Sequence, residues 1–187
     1  MNGKRLRGSV KHFTNLRFAE KMPAALMVFL GLCFLFNSRF AAAAGEEEQN
    51  KAVARTAFLE YLNHKDFKNF ERIHTRDFVK HYNNAAPEDL PQEMEDAKAQ
   101  FVSSSDLTFS VNWMIAEGDK VAVCFTAKGT HDGVFQGIPP TGKKYEISGL
   151  TVWRFVKGKI AEEWVFSNDF DLYRQLGLVK EPGSAGL

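Results

Sequence analysis

The apolar residues change period once along this chain, and that change limits the folds open to it. Upstream of Ser103-Ser104-Ser105 they recur about every 3.6 residues; downstream they alternate. Val53, Ala57, Phe58, Tyr61 and Leu62 give one apolar helical face, with Glu46, Glu47 and Glu48 at its start, where acidic groups favour a helix N-terminus. Asp66 suits the cap of a short second helix carrying Phe67, Phe70 and Ile73. Residues 77–82 read as a short extended piece, and residues 83–87 as a loop. Pro91 opens a third helix with Met94, Ala97 and Phe101 on one side. Beyond the serines, Leu107, Phe109, Val111, Trp113 and Ile115 alternate with mostly polar residues. Val121, Val123, Phe125 and Ala127 do so again. Residues 144–155 and 159–167 make two more long strands, joined by Lys157-Gly158. A last helix carries Leu172 and Leu176 and stops at Gly177. Helices first and hairpin-linked strands after them give an α+β domain. Three helices then cover one face of a curved antiparallel sheet, with a cavity between the layers.

Charge divides the chain. Seven of its 24 basic residues but one of its 23 acidic ones fall in residues 1–44, so the remainder carries a net charge of −5. That acidic body, without a basic stripe, argues against nucleic acid as a partner. Within the leader, residues 24–36 are uncharged and strongly apolar, and Ala41-Ala42-Ala43-Ala44 follows. The run is shorter than the ~20 residues a spanning helix needs. A basic start, a short apolar middle and a small-residue end form the pattern of a secretory signal peptide. The expected organisation is a signal peptide over 1–44, an α+β barrel-like domain over 45–180 and a loose tail over 181–187. It implies export from a bacterial cell, to the periplasm or medium, and no membrane contact beyond the leader. Cys33 lies in the leader, so Cys124 stands alone in the body and no intramolecular disulfide can form there.

The segment Gly129-Thr130-His131-Asp132-Gly133-Val134-Phe135-Gln136-Gly137-Ile138-Pro139-Pro140-Thr141-Gly142-Lys143 resembles the G-x-H-x-G-x-x-x-G-x-P-P-T-G stretch, followed by a basic residue, of the SnoaL-like polyketide cyclases. Agreement continues through Gly149, Trp153-Arg154-Phe155, Lys157-Gly158-Lys159-Ile160, Glu162-Glu163-Trp164 and Gln175-Leu176-Gly177. Upstream, Asp77-Phe78-Val79-Lys80-His81 is similar to another family element. The resemblance implies a cone-shaped α+β fold of the nuclear transport factor 2 type, often dimeric through its open sheet face. It implies ring closure by acid/base chemistry without metal or cofactor, with a pocket aspartate on the last strand. Alignment on Lys157-Gly158-Lys159-Ile160 puts Val165 at that aspartate's position, and valine transfers no proton. It also implies that His81 and Asn83 lie at the pocket mouth and that Trp153 and Trp164 line the pocket.

Candidate acid/base groups are therefore His131, Glu163 and Asp169. His131 is in phase with the apolar face of its strand, and an imidazole can serve as base, acid or hydrogen-bond donor. Glu163 shares the strand face of Val165. No spacing supports a metal site, a nucleophile elbow or a phosphate loop. Two function classes remain open. One is an exported, cofactor-independent cyclase, isomerase or lyase acting on a small apolar, carbonyl-containing molecule. The other is a non-catalytic ligand-binding or partner-binding domain of the cell envelope.

Overall fold

The computed structural model describes residues 42–179. The apolar leader segment, its Cys33 and the tail over 181–187 lie outside the described residues. Helix α1 covers residues 42–62 and widens into a π-helical turn over Ala57–Leu62. Its inner face carries Ala54, Ala57, Phe58 and Leu62, all buried. Asn63 ends it and clasps the next layer: its amide nitrogen donates to the Phe109 carbonyl at 2.9 Å, and its amide oxygen accepts from the Phe109 N–H at 2.7 Å. Asp66 caps α2 (Phe67–Arg72) by accepting from the Asn69 N–H. Asp89 caps α3 (Leu90–Ser103) in the same way through Gln92, with Pro91 in the first turn. Asn168 caps α4 (Asp169–Leu176), which stops at Gly177 in the left-handed conformation, φ 74°.

The strands are β1 (His74–Tyr82), β2 (Glu88–Asp89), β3 (Thr108–Glu117), β4 (Lys120–Thr130), β5 (Lys144–Val156) and β6 (Lys159–Ser167). They form one curved sheet in the order β2-β1-β6-β5-β4-β3. The α+β expectation holds, with three corrections. The sheet is not closed into a barrel. It is not wholly antiparallel either: β1 runs parallel to β6, from which β2, α3 and the β3–β5 meander separate it along the chain. And the extended piece expected over 77–82 begins earlier, at His74, which is buried.

Bulges set which residues face the helices. The register slips between Val111 and Trp113, so Asn112 is extra and the alternation changes phase. Phe109 and Val111 pack against the core, but so do Met114 and Ala116, while Trp113 and Ile115 are exposed on the far side. The even alternation read from Leu107 to Ile115 is corrected accordingly. A second slip, between Arg154 and Phe155, brings Ile160 opposite Phe155 but Glu163 opposite Trp153. Thus Ile160, Glu163 and Val165 belong to the inner face. The core is aromatic at its centre: Phe58 stacks on Trp153 and tilts against Phe125, both at 5.3 Å between ring centroids. Among the described residues no helix is long and apolar enough to cross a membrane.

Candidate functional site

The layers do not meet everywhere, and a cavity of about 390 Å³ remains between them. Phe58, Phe101, Leu107, Phe109, Phe125 and Trp153 form its apolar wall. The opposite wall is charged. On β1, Phe78, Lys80 and Tyr82 alternate inward, which sends a lysine into the interior beside two aromatics. Strand pairing places Glu88 of β2 on one side of Lys80 and Glu163 of β6 on the other. Helix α3 lowers Glu93 and Asp96 onto it. The ammonium lies 2.8 Å from Glu88 Oε2, 2.8 Å from Glu93 Oε2 and 3.2 Å from Asp96 Oδ2.

Burial alone would pull the Lys80 ammonium down, but Glu93 and Glu88 outweigh it and hold the ammonium above its ordinary range. The two buried glutamates move the other way. Glu93 is 8% and Glu163 6% exposed. Burial raises the Glu93 carboxyl, the neighbouring charge of Glu163 raises it further, and Lys80 offsets only part of this. Burial likewise raises Glu163, against a 2.8 Å hydrogen bond from Thr151 Oγ1. The Trp153 indole N–H favours the Glu163 carboxylate from outside hydrogen-bonding geometry. Two like-charged carboxyls with one lysine between them resist ionising together, which keeps a proton available near neutral pH.

His131 is set by the loop that follows β4. Its backbone N–H donates to Lys143, and its carbonyl accepts from Gly142. Asp132 and Gly133 donate to the Ser103 carbonyl at the end of α3. Gly133 is required there, since a Cβ would sit 2.0 Å from the Val102 carbonyl oxygen. The ring is 1% exposed. Its Nδ1 accepts from the Thr141 N–H at 3.3 Å and meets Thr141 Oγ1 at 3.1 Å. That leaves the neutral imidazole's proton on Nε2, which has no partner among the described residues, on a ring that lines the cavity. In this state His131 offers a donor, not a base.

Asp169, at the first turn of α4, also reaches the cavity wall. Its carboxylate accepts from the Tyr82 hydroxyl at 2.7 Å and from Asn83 Nδ2 at 3.1 Å. Burial first, and then this bond, raise the Tyr82 phenol.

The cavity thus gathers His131, Glu163, Asp169, Trp153 and Val165, while Asn83 holds Asp169 from behind. Three expected residues do not line the cavity: Asn83, which bonds Asp169, and the pair His81 and Trp164. His81 and Trp164 stack on each other, 5.5 Å between ring centroids. Their neighbours Lys80 and Glu163 point inward, so alternation turns them to the opposite face. There His81 Nε2 lies 3.1 Å from Glu162, which also accepts from Arg154 at 2.9 Å. Lys80, Glu93, Glu88, Asp96 and Tyr82 were not anticipated. The alternation Phe78-Lys80-Tyr82 is the signal that could have found the lysine. Among the described residues no three His, Cys, Asp or Glu side chains are grouped to hold a metal ion.

Comparison with known proteins places this architecture. Residues 52–176 match the model of the SnoaL-like polyketide cyclase family. Among solved structures, AclR from Streptomyces galilaeus, a candidate hydroxylase, is 25% identical with a TM-score of 0.67, covering 74% of this chain and 87% of its own. IdmH from Streptomyces antibioticus, a candidate polyketide cyclase, is 28% identical with a TM-score of 0.60, covering 69% and 98%. A SnoaL-like protein from Jannaschia sp. CCS1 shares the fold at 22% identity and a TM-score of 0.66, covering 72% and 95%. No curated protein matches in sequence. With two thirds of its residues under the family model and its helices and sheet in the shared arrangement, the chain belongs to the SnoaL-like polyketide cyclase family.

Proposed function

We propose that this protein binds a small, largely apolar, carbonyl-containing molecule in the cavity and moves a proton next to that carbonyl. One observation carries the reading: a buried imidazole N–H without a partner and buried carboxyls of raised pKa line the same apolar cavity. The Nε2–H of His131 would polarise the carbonyl oxygen. Glu163, backed by Glu93 and Lys80, would take or return the proton, in place of the aspartate for which Val165 stands. Cyclase, isomerase and lyase reactions all use this step, and it needs no cofactor. The apolar side chain of Val165 favours a second reading, in which the cavity binds its ligand without turning it over.

The leader's composition supports export to a bacterial periplasm or medium. The sheet's outer face supports a homodimer. Phe166, Leu150, Cys124 and Trp113 form one row across it, and Trp164, Val152, Ala122 and Ile115 another. Trp113, Ile115 and Phe166 are exposed there. Native mass spectrometry of the protein incubated with metabolite extract tests ligand and assembly together. A bound small molecule, lost on His131→Ala, supports the reading. Persistent absence of any adduct removes it. Turnover of the captured molecule that survives His131→Ala and Glu163→Gln removes the catalytic part.

A further inference from the structure

We propose that the cavity selects a cationic ligand: a small organic amine whose ammonium faces the Glu93–Glu163 wall and whose neutral oxygen accepts from His131. The inference rests on the small-molecule reading above and names the class of molecule. Among the described residues five carboxyl side chains line the cavity, those of Glu88, Glu93, Asp96, Glu163 and Asp169, against one lysine and no arginine. Lys80 is poorly placed to serve an anionic ligand, because its ammonium already lies within 3.2 Å of three carboxylates. A ligand carboxylate or phosphate entering here would face unpaired negative charge. A neutral ligand would leave the excess charge unanswered, and low-dielectric walls focus that charge into the cavity.

His131 supplies the independent second point. Its ring is buried, Thr141 occupies Nδ1, and Nε2–H has no partner. A buried donor left open costs stability unless a ligand fills it. The group that fills it must accept a hydrogen bond without displacing the ring's proton, which describes a carbonyl, ether or hydroxyl oxygen. Phe58, Phe109, Phe125 and Trp153 line the same cavity, which suits an aromatic or alkyl body and a cation. An ammonium beside Glu93 and Glu163 favours their ionised forms, so a proton held on the pair leaves to solvent as the amine binds.

The test uses three matched probes with the same acetyl oxygen: 4-(2-aminoethyl)acetophenone, 4-propylacetophenone and 3-(4-acetylphenyl)propionate. They present a cation, a neutral isostere and an anion. Calorimetric titration at pH 7 should give the amine at least about tenfold tighter binding than the propyl compound, with the propionate weakest. Repeating it in buffers of different ionisation heat should show proton release with the amine alone. Glu93→Gln should remove most of the amine's advantage and leave the propyl affinity within about twofold, which also shows that the variant is folded. Equal or tighter binding of the propyl compound or the propionate overturns the assignment and leaves the small-molecule reading standing. Failure of all three, with no adduct from extract, removes both.

Discussion

Replacing Lys80 by methionine tests the electrostatic account of the site most directly. Methionine fills a similar volume but removes the one charge that compensates Glu93 and Glu163. Breaking a buried ion pair from one side typically costs about 3–5 kcal/mol. Here the cost depends on pH, and its sign follows from the raised carboxyl pKa values. A carboxyl with a raised folded pKa stabilises fully below its unfolded pKa, and that stability is lost as pH rises through the folded value. Without Lys80 both folded values rise further, so the loss deepens toward alkaline pH. At pH 8 the variant should fall short of the wild type by about 3–5 kcal/mol, on the order of 10 °C in Tm for a domain of this size. At pH 5 Glu93, raised to about 8, is protonated in either protein, and Glu163 is raised in the same direction, so Lys80 depends mainly on the more exposed Glu88 and Asp96. The deficit should shrink to about 1–2 kcal/mol. Thermal unfolding followed by circular dichroism, with both proteins compared at each pH from 5 to 8, measures the difference. A deficit that stays constant across that range would refute the claim that buried glutamates dominate the site.

Phe58→Ala should cost about 3–5 kcal/mol in chemical denaturation, because it empties the space between Trp153 and Phe125. Asn63→Ala removes both bonds to Phe109, and should speed hydrogen exchange at that amide while costing about 1–3 kcal/mol. Burial lowers His74 to about 4, so its contribution is complete above its unfolded value and is lost as pH falls from about 6.5 through 4. His74→Phe should therefore flatten the acid limb of the stability profile, and an unchanged limb would show that other groups drive it. Trp113→Glu should convert a dimer to monomers in light scattering without lowering Tm by more than a few degrees, since the ring is exposed.

Elements were legible where one local signal decided them. Asp66, Pro91 and Gly177 mark helix ends whatever the rest of the chain does, and they stand where the sequence places them. The inward histidine was legible because the pairing of β4 with β5 runs in unbroken register from Val121 to Thr130, the residue before it. The outer face was not, because one extra residue at Asn112 reverses Trp113 and Ile115, and nothing in an alternating string announces it. The charged wall was hidden for a different reason. Lys80, Glu88, Glu93 and Glu163 come from four elements, and it takes the pairing of β1 with both β2 and β6, and α3 laid beside β1, to make them neighbours. A lone lysine between two aromatics reads as a solvated charge until that pairing is known.

The clasp of Asn63 on Phe109 also bears on how the protein behaves in a crowd. β3 is an edge strand of ten residues, and a free edge invites another chain to add itself. Asn63 occupies both edge-facing backbone groups of Phe109, and three residues on the bulge at Asn112 bends the rest away. Neither stretch that remains is long and flat enough to template a foreign strand. The opposite edge, β2, is two residues long and runs straight into α3. Both rims are thus short or interrupted, which disfavours fibre-like growth by strand addition.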